Sequence, residues 1–193
     1  MSQPALKKYF TPAEYLELEE AAEHKSEYYD GEIFAMAGTT SDHNIVNGNV
    51  YARMNLAFGA KDCVAYINDV KLWVEARGFF AYPDVAVVCG KLKHYVNRKD
   101  TITNPILIVE VLSNSTKEYD HGTKFKFYRS IPTLREYIMI DQYKVHVEQF
   151  SLGSEGKWVL TEYNHPDEVL RCTSVDFQIP LREIYGKVEF EKE

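Results

Sequence analysis

The sequence is short of the residues that mark most non-globular classes. Its 193 residues include only 10 Gly and 7 Pro and no low-complexity tract, which excludes collagen-like and disordered chains. No apolar run is long enough to cross a bilayer as a helix, and the mean hydropathy is -0.36. Cysteine is scarce too. Cys63, Cys89 and Cys172 are an odd count without CxxC spacing, which argues against a disulfide framework and a structural zinc site and predicts a reducing, cytoplasmic setting. The opening MSQPALKKYFTPAEYL has no apolar core of the kind a secretory signal needs. An excess of positive charge is also missing: 22 Lys and Arg against 29 Asp and Glu leave a net charge of -7. Taken alone, that balance counts against nucleic acid, because Lys and Arg contacts to phosphate supply most non-specific affinity. What remains, 45% hydrophobic, suits one globular domain over residues 1–193.

The patterning predicts a mixed α/β (α+β) domain. Thr11-Pro12-Ala13-Glu14 combines an N-cap, a proline at the first helical position and a capping-box glutamate, so a helix should run to about Glu23. Asp30-Gly31 between aromatic and β-branched residues reads as a hairpin turn. Ser41 or Asp42 can cap a second helix ending near Phe58. Residues 63–76 and 79–89 read as strands, and residues 105–113 form a nearly unbroken apolar run of the kind found in a central, doubly covered strand. A helix from about Asp120 to Ser130, a strand from Glu136 to Asp141, two strands near 145–152 and 157–163 and a closing helical turn at Leu181–Tyr185 complete the pattern. The sum is a central mixed sheet of six or more strands flanked by helices.

Two carboxylates interrupt the apolar strands. Glu110 lies within Ile106-Leu107-Ile108-Val109-Glu110-Val111-Leu112, and Asp84 within Phe79 to Val88. A lone buried carboxylate costs several kcal/mol unless it is protonated, paired or bound to a cation. If the strands are neighbours the two acids face one another, and charges about 4 Å apart repel by about 4 kcal/mol at an effective dielectric near 20. Either a proton on one acid or a divalent cation between them must offset this. All-oxygen ligands favour Mg²⁺ or Mn²⁺ over zinc. Glu27, at the start of the first hairpin, is a candidate third carboxylate. On the helix after the Glu110 strand, Lys124 and Lys126 are two residues apart, so only one of them can point at that strand's end. Pro166-Asp167 repeats the Pro83-Asp84 dipeptide in a polar turn and reads as a loop. His43, near a helix start, reads as a supporting residue, whereas His24, His94, His121, His146 and His165 show no mutual spacing that suggests a metal site. The 14 Tyr and 10 Phe read mainly as core.

These residues together resemble the Uma2 family, formerly a domain of unknown function, in the PD-(D/E)XK superfamily of restriction-endonuclease-like proteins. The resemblance runs from about residue 10 to about residue 185. Its pieces are Lys25-Ser26-Glu27-Tyr28-Tyr29-Asp30-Gly31-Glu32, Ser41-Asp42-His43-Asn44, Pro83-Asp84, the run Val109-Glu110-Val111-Leu112-Ser113 with Ser115-Thr116, Asp120-His121-Gly122-Thr123-Lys124, and Glu136-Tyr137 to Asp141. It implies a restriction-endonuclease-like fold and hydrolysis of DNA phosphodiesters at a carboxylate-bound Mg²⁺ (or Mn²⁺). Asp84 and Glu110 would be the metal ligands, Glu27 the completing carboxylate and Lys124 the catalytic lysine. Leu112 stands where the superfamily pattern has lysine two residues after the acid, so the lysine would have moved to the following helix. Thr123 stands where the family often has Glu.

Charge by segment changes the reading of the net value. Residues 14–32 hold eight acids and one base, and the rest of the chain is balanced at 21 of each. Residues 91–135 hold nine bases against four acids. Within that run Lys117, Lys126 and Arg129 are candidate phosphate contacts. DNA is then the expected partner on one side of the molecule, with no membrane role. A homodimer is one arrangement that would serve both strands. The alternatives are a catalytically silent nucleic-acid-binding or interaction protein retaining the fold, and a metal-dependent hydrolase of small phosphodiesters.

Overall fold

The computed structural model describes residues 9–36 and 38–190. Residues 1–8, part of the stretch judged to carry no secretory signal, lie outside that range. The chain runs α1 (Pro12–Ala21), β1 (Ser26–Tyr29), β2 (Glu32–Ala35), α2 (Ser41–Phe58), β3 (Cys63–Ile67), β4 (Lys71–Val74), β5 (Phe79–Ala81), β6 (Val85–Cys89), β7 (His94–Tyr95), β8 (Arg98–Ile102) and β9 (Leu107–Leu112). A helical stretch follows, built of α3 (Lys117–Tyr119), a π turn (Asp120–Lys124) and α4 (Phe125–Tyr128). Then come β10 (Glu136–Asp141), β11 (Val147–Leu152), β12 (Trp158–Tyr163), β13 (Val169–Arg171), β14 (Gln178–Pro180) and α5 (Leu181–Ile184).

Local chemistry explains the starts and turns. Thr11 caps α1 with a complete capping box: Glu14 N donates to Thr11 Oγ1 at 3.2 Å and Thr11 N to Glu14 Oε2 at 2.7 Å. The β1–β2 hairpin turns at Asp30 and Gly31, both at positive φ, as a two-residue Asp-Gly turn requires. Thr40, rather than Ser41 or Asp42, caps α2, accepting from His43 N.

The sheets are ordered β2-β1-β5-β4-β8-β7 and β12-β11-β10-β9-β6-β3, with a small β13-β14 pair. In the second, β9 and β10 run parallel and the other neighbours antiparallel, so this is the expected mixed sheet of an α+β fold. The helical stretch 117–128 is the crossover that a parallel β9–β10 pair needs. One face of this sheet packs Val85, Val87, Leu107, Val109 and Ile138 against Val46, Val50, Met54 and Phe58 of α2. The other packs Ile108, Leu112 and Met139 against Phe125 and Tyr128 of the helical stretch and against Leu72, Phe79 and Ala81 of the first sheet. Tyr15 and Leu16 of α1 cover the far side of that first sheet, against Tyr28 and Phe80.

Two expectations need correction. Residues 79–89 are not one strand. Pro83 has no N–H to donate and biases Tyr82 to an extended backbone, so the ladder breaks at Tyr82-Pro83-Asp84; β5 ends in one sheet and β6 begins in the other. Residues 63–76 divide in the same way at Asn68, whose φ is 55°, and Asn68 N donates to the Asp84 carbonyl at 3.1 Å, tying the two breaks together. The reading against a disulfide also fails. The register of β3 on β6 sets Cys63 opposite Cys89, and their sulfurs are bonded, which leaves Cys172 as the free thiol. The spacing of 26 residues is uninformative because the pairing is created by the sheet.

Glu136, fully buried, ties down the segment before β14. Its carboxylate accepts from Gln149 Nε2 at 2.7 Å, Thr173 N at 2.8 Å and Ser174 N at 2.9 Å, as well as from the Ser174 hydroxyl. Glu136→Ala should lower stability by roughly 2–4 kcal/mol in urea unfolding, since several buried donors lose their acceptor together. Alkylation of the denatured, non-reduced protein should modify one thiol per chain, and three after reduction.

Candidate active site

Four elements deliver carboxylates to one place between the sheets. On β1 the two-residue period turns Tyr28 towards α1 and leaves Glu27 and Tyr29 facing the second sheet. Asp84 sits at the sheet crossing, its Oδ2 accepting from Val111 N at 2.8 Å, while Asp84 N donates weakly to Glu110 Oε2 at 3.4 Å. The crossing therefore brings Asp84 beside Glu110 at the C-terminal part of β9. The π turn contributes Asp120 and Lys124, with Phe125 N donating to the Asp120 carbonyl five residues back. Such turns are uncommon and concentrate at functional sites.

Lys124 is the hub. Its Nζ lies 3.1 Å from Glu27 Oε1, 3.2 Å from Glu110 Oε1 and 3.3 Å from Asp120 Oδ1, with all four side chains buried. Tyr128 adds a 2.9 Å hydrogen bond to Glu110 Oε1. His43, in the first turn of α2, brings Nε2 to 3.3 Å from Asp84 Oδ2. The group opens into a cavity of about 770 Å³ also lined by Tyr29, Ser113, Asn114, Thr123 and Tyr143.

The electrostatics follow from four carboxylates and one ammonium, all but Asp84 buried. Burial is the main reason the Glu110 carboxyl is pushed up to about 8; Lys124 opposes this, while Asp120, Asp84 and Glu27 add to it. For Lys124 burial acts to lower the pKa, but Glu110 and Glu27 outweigh it and hold the ammonium well above the ordinary lysine range. Lys124 is thus a fixed cation and donor, not a base.

Asp84, Glu110, Lys124, Glu27 and His43 are therefore brought together. Lys117, Lys126 and Arg129 are not among the cavity's lining residues. Lys117 pairs with Asp141 at 3.3 Å, the Arg129 guanidinium stacks on Phe125, and Lys126 is exposed on the helix's outer side. Asp120 was missed as a site residue, although it lies in the quoted Asp120 to Lys124 motif four residues before the lysine, on the same helical face. It also supplies a carboxylate that Thr123 does not. Leu112, two residues after Glu110, shares its sheet face but packs into the core, and Lys124 reaches Glu110 from the helical stretch instead.

The residues fit a hard divalent cation. The donors are all oxygens, and Glu27 Oε1 and Asp120 Oδ1 are buried without a hydrogen bond although Lys124 is near, so negative charge is left under-compensated. Two carboxylates with water and phosphate completing the shell are how Mg²⁺ is commonly held.

A mixed sheet carrying paired acids beside a buried lysine defines a restriction-endonuclease-like protein. Residues 12–182 match the Uma2 family model, described as "Putative restriction endonuclease", and the chain belongs to that family. Two relatives come from Synechocystis sp.: "Uncharacterized protein sll1609", 40% identical over 82% of this chain and 89% of that one, and "Uncharacterized protein slr1290", 32% identical over 93% of each. A crystal structure from Anabaena variabilis, described as "a putative nuclease belonging to DUF820", superposes with a TM-score of 0.74 at 15% identity, covering 91% of this chain and 97% of that one. At that identity the likeness establishes the shared fold. Among the described residues no helix is long and apolar enough to cross a membrane.

The raised Glu110 value has a direct consequence for the metal-free protein. Between its ordinary value near 4.5 and about 8, the folded state holds a proton that the unfolded state has lost, so Glu110 makes stability fall as pH rises through that window. In chelator, the melting temperature of wild type should drop by several degrees more than that of Glu110→Gln between pH 5.5 and pH 8, as read by thermal unfolding at both values.

Proposed function

We propose that this protein is a divalent-metal-dependent endonuclease that hydrolyses phosphodiester bonds in DNA. The observation that carries the reading is the meeting of Asp84 and Glu110, from different segments of the chain, beside a lysine held permanently charged. Membership of a nuclease-like family supports it. Asp84 and Glu110 are the residues that would hold Mg²⁺ or Mn²⁺, and a bound ion would supply an acidified water and charge neutralisation at the phosphate.

The chain's own groups carry the rest. Val111 N fixes Asp84 Oδ2, and His43 restrains the same oxygen from the α2 side. Tyr128 and Lys124 both engage Glu110 Oε1, which leaves Oε2 as its less engaged oxygen. Lys124, a donor that does not titrate near neutrality, orients the attacking water or meets the charge that develops on the phosphate. Glu27 and Asp120 hold that ammonium in place from two sides. Ser113, Asn114 and Ser115, at the cavity edge, offer neutral donors to phosphate oxygens. Few cations line the cavity, so binding to DNA should be weak and strongly salt-dependent.

Supercoiled plasmid with Mg²⁺ or Mn²⁺ should be nicked by wild type and not measurably by Asp84→Ala or Glu110→Ala. Lys124→Met should lose about 10²–10³ in turnover, with thermal melting used to confirm that it folds. Equal nicking by all the proteins would overturn the assignment. Cleavage of a chromogenic phosphodiester with plasmid left intact would favour the small-substrate hydrolase, and no divalent-ion-dependent thermal shift would favour a silent binding protein.

A further inference from the structure

A second cluster lies on the same sheet face, two strands from Glu110. Across the register Glu110 pairs with Met139, Met139 with Glu148, and Glu148 with Glu162. Residues directly opposite one another point to the same face. Glu148 and Glu162 are therefore like charges set side by side on antiparallel strands, an unfavourable arrangement without a cation. His146, two residues before Glu148, shares that face, and one ligand atom from each of His146, Glu148 and Glu162 lies within 4.8 Å of the others. His121 arrives from the π turn overhead, its Nε2 3.0 Å from Glu148 Oε1, while His146 Nε2 is 3.2 Å from the same oxygen.

The orientation of the two imidazoles is the telling feature. His121 Nδ1 is 2.7 Å from the Lys117 backbone carbonyl, which can only accept, so Nδ1 carries the proton. His146 Nδ1 is 2.7 Å from Asn164 Oδ1 and is held in the same way. In a neutral ring so anchored the Nε2 lone pair faces a Glu148 oxygen and is left to a cation, whereas a protonated ring would donate to that oxygen. A ring anchored through Nδ1–H to a carbonyl with Nε2 aimed inward is the usual posture of a metal-ligating histidine.

We propose that His146, Glu148 and Glu162 form a second metal site, for a borderline divalent ion of the zinc type, with His121 holding the ligand Glu148 in place. Mixed imidazole and carboxylate donors suit such ions, in contrast to the all-oxygen Asp84–Glu110 pair. Three protein ligands leave one coordination position for water. Its ligands come from the start of β11, the residue before it and β12, and the π turn that carries Asp120 and Lys124 reaches the site through the His121 contact to Glu148. The site stands on its own observations and does not depend on the nuclease reading.

The test is titration of the full chain, stripped by chelator and desalted, with Zn²⁺ against a chromogenic competing chelator, and with Co²⁺ followed by visible absorption. The expected result is about one Zn²⁺ per chain, retained by Asp84→Asn, with Co²⁺ bands showing nitrogen ligation. His146→Asn and Glu148→Gln should abolish the tight binding. Asn164→Ala, which removes only the anchor of His146, should weaken it by about 10–100-fold. Circular dichroism on each variant distinguishes loss of a ligand from loss of fold, and Glu162→Gln, an exposed substitution, gives a variant in which misfolding is not a concern. Absence of stoichiometric binding in wild type, unchanged affinity in His146→Asn, Glu148→Gln and Glu162→Gln, or loss of binding in Asp84→Asn would overturn the proposal.

Discussion

The Lys124 ammonium is the interaction on which the rest of the site depends. It is buried, and its three carboxylate partners come from β1, β9 and its own π turn. A charge taken out of water is tolerated only where its partners are fixed in place, and removal of one partner strands the others. The hairpin, the central strand and the crossover helix are thus held in register by a single cation. Asp120 and Lys124, four residues apart in the π turn, both face inward, and Phe125 and Tyr128 lie in the core.

The same geometry sets up a competition. With the lysine held protonated, the remaining negative charge is relieved at Glu110 by a proton or, in the proposed nuclease, would be relieved at the Asp84–Glu110 pair by a divalent ion. The two are alternatives for the same electrostatic deficit, so the metal-free and metal-loaded states are expected to differ more at alkaline than at acidic pH.

Part of the site was legible in the sequence, because an acid inside an apolar strand must be protonated, paired or bound to a cation. Asp84 and Glu110 stood out for that reason, and the capping box of α1 and the Asp30-Gly31 turn were local signals that local physics decided. What could not be read were features created by pairing over long distances. The sheet change at Pro83 looks like a continuous strand in a window of ten residues. The Cys63–Cys89 bond and the meeting of His121 and His146 at Glu148 exist only once the registers of the central sheet are set. The acidic and basic segments likewise neutralise one another in part. Glu20 of the acidic segment pairs with Arg98 of the basic run at 2.6 Å, and Glu27 with Lys124, so charge counts by segment overstate the field that solvent meets.

The double break at Asn68 and Asp84 has a consequence for the cavity. Both strands of a two-stranded ribbon, β3–β4 and β5–β6, change sheet at the same level and are joined there by a backbone hydrogen bond. The dihedral between the sheets is therefore fixed by covalent chain and main-chain geometry rather than by side-chain fit alone. Tyr82 and Asp84, at the vertex, line the cavity, so its width at that end is a property of the backbone. Phe34, Met36 and Tyr143 also line the cavity but stand exposed, so the part of its wall that they form is set by side chains rather than by the sheet crossing.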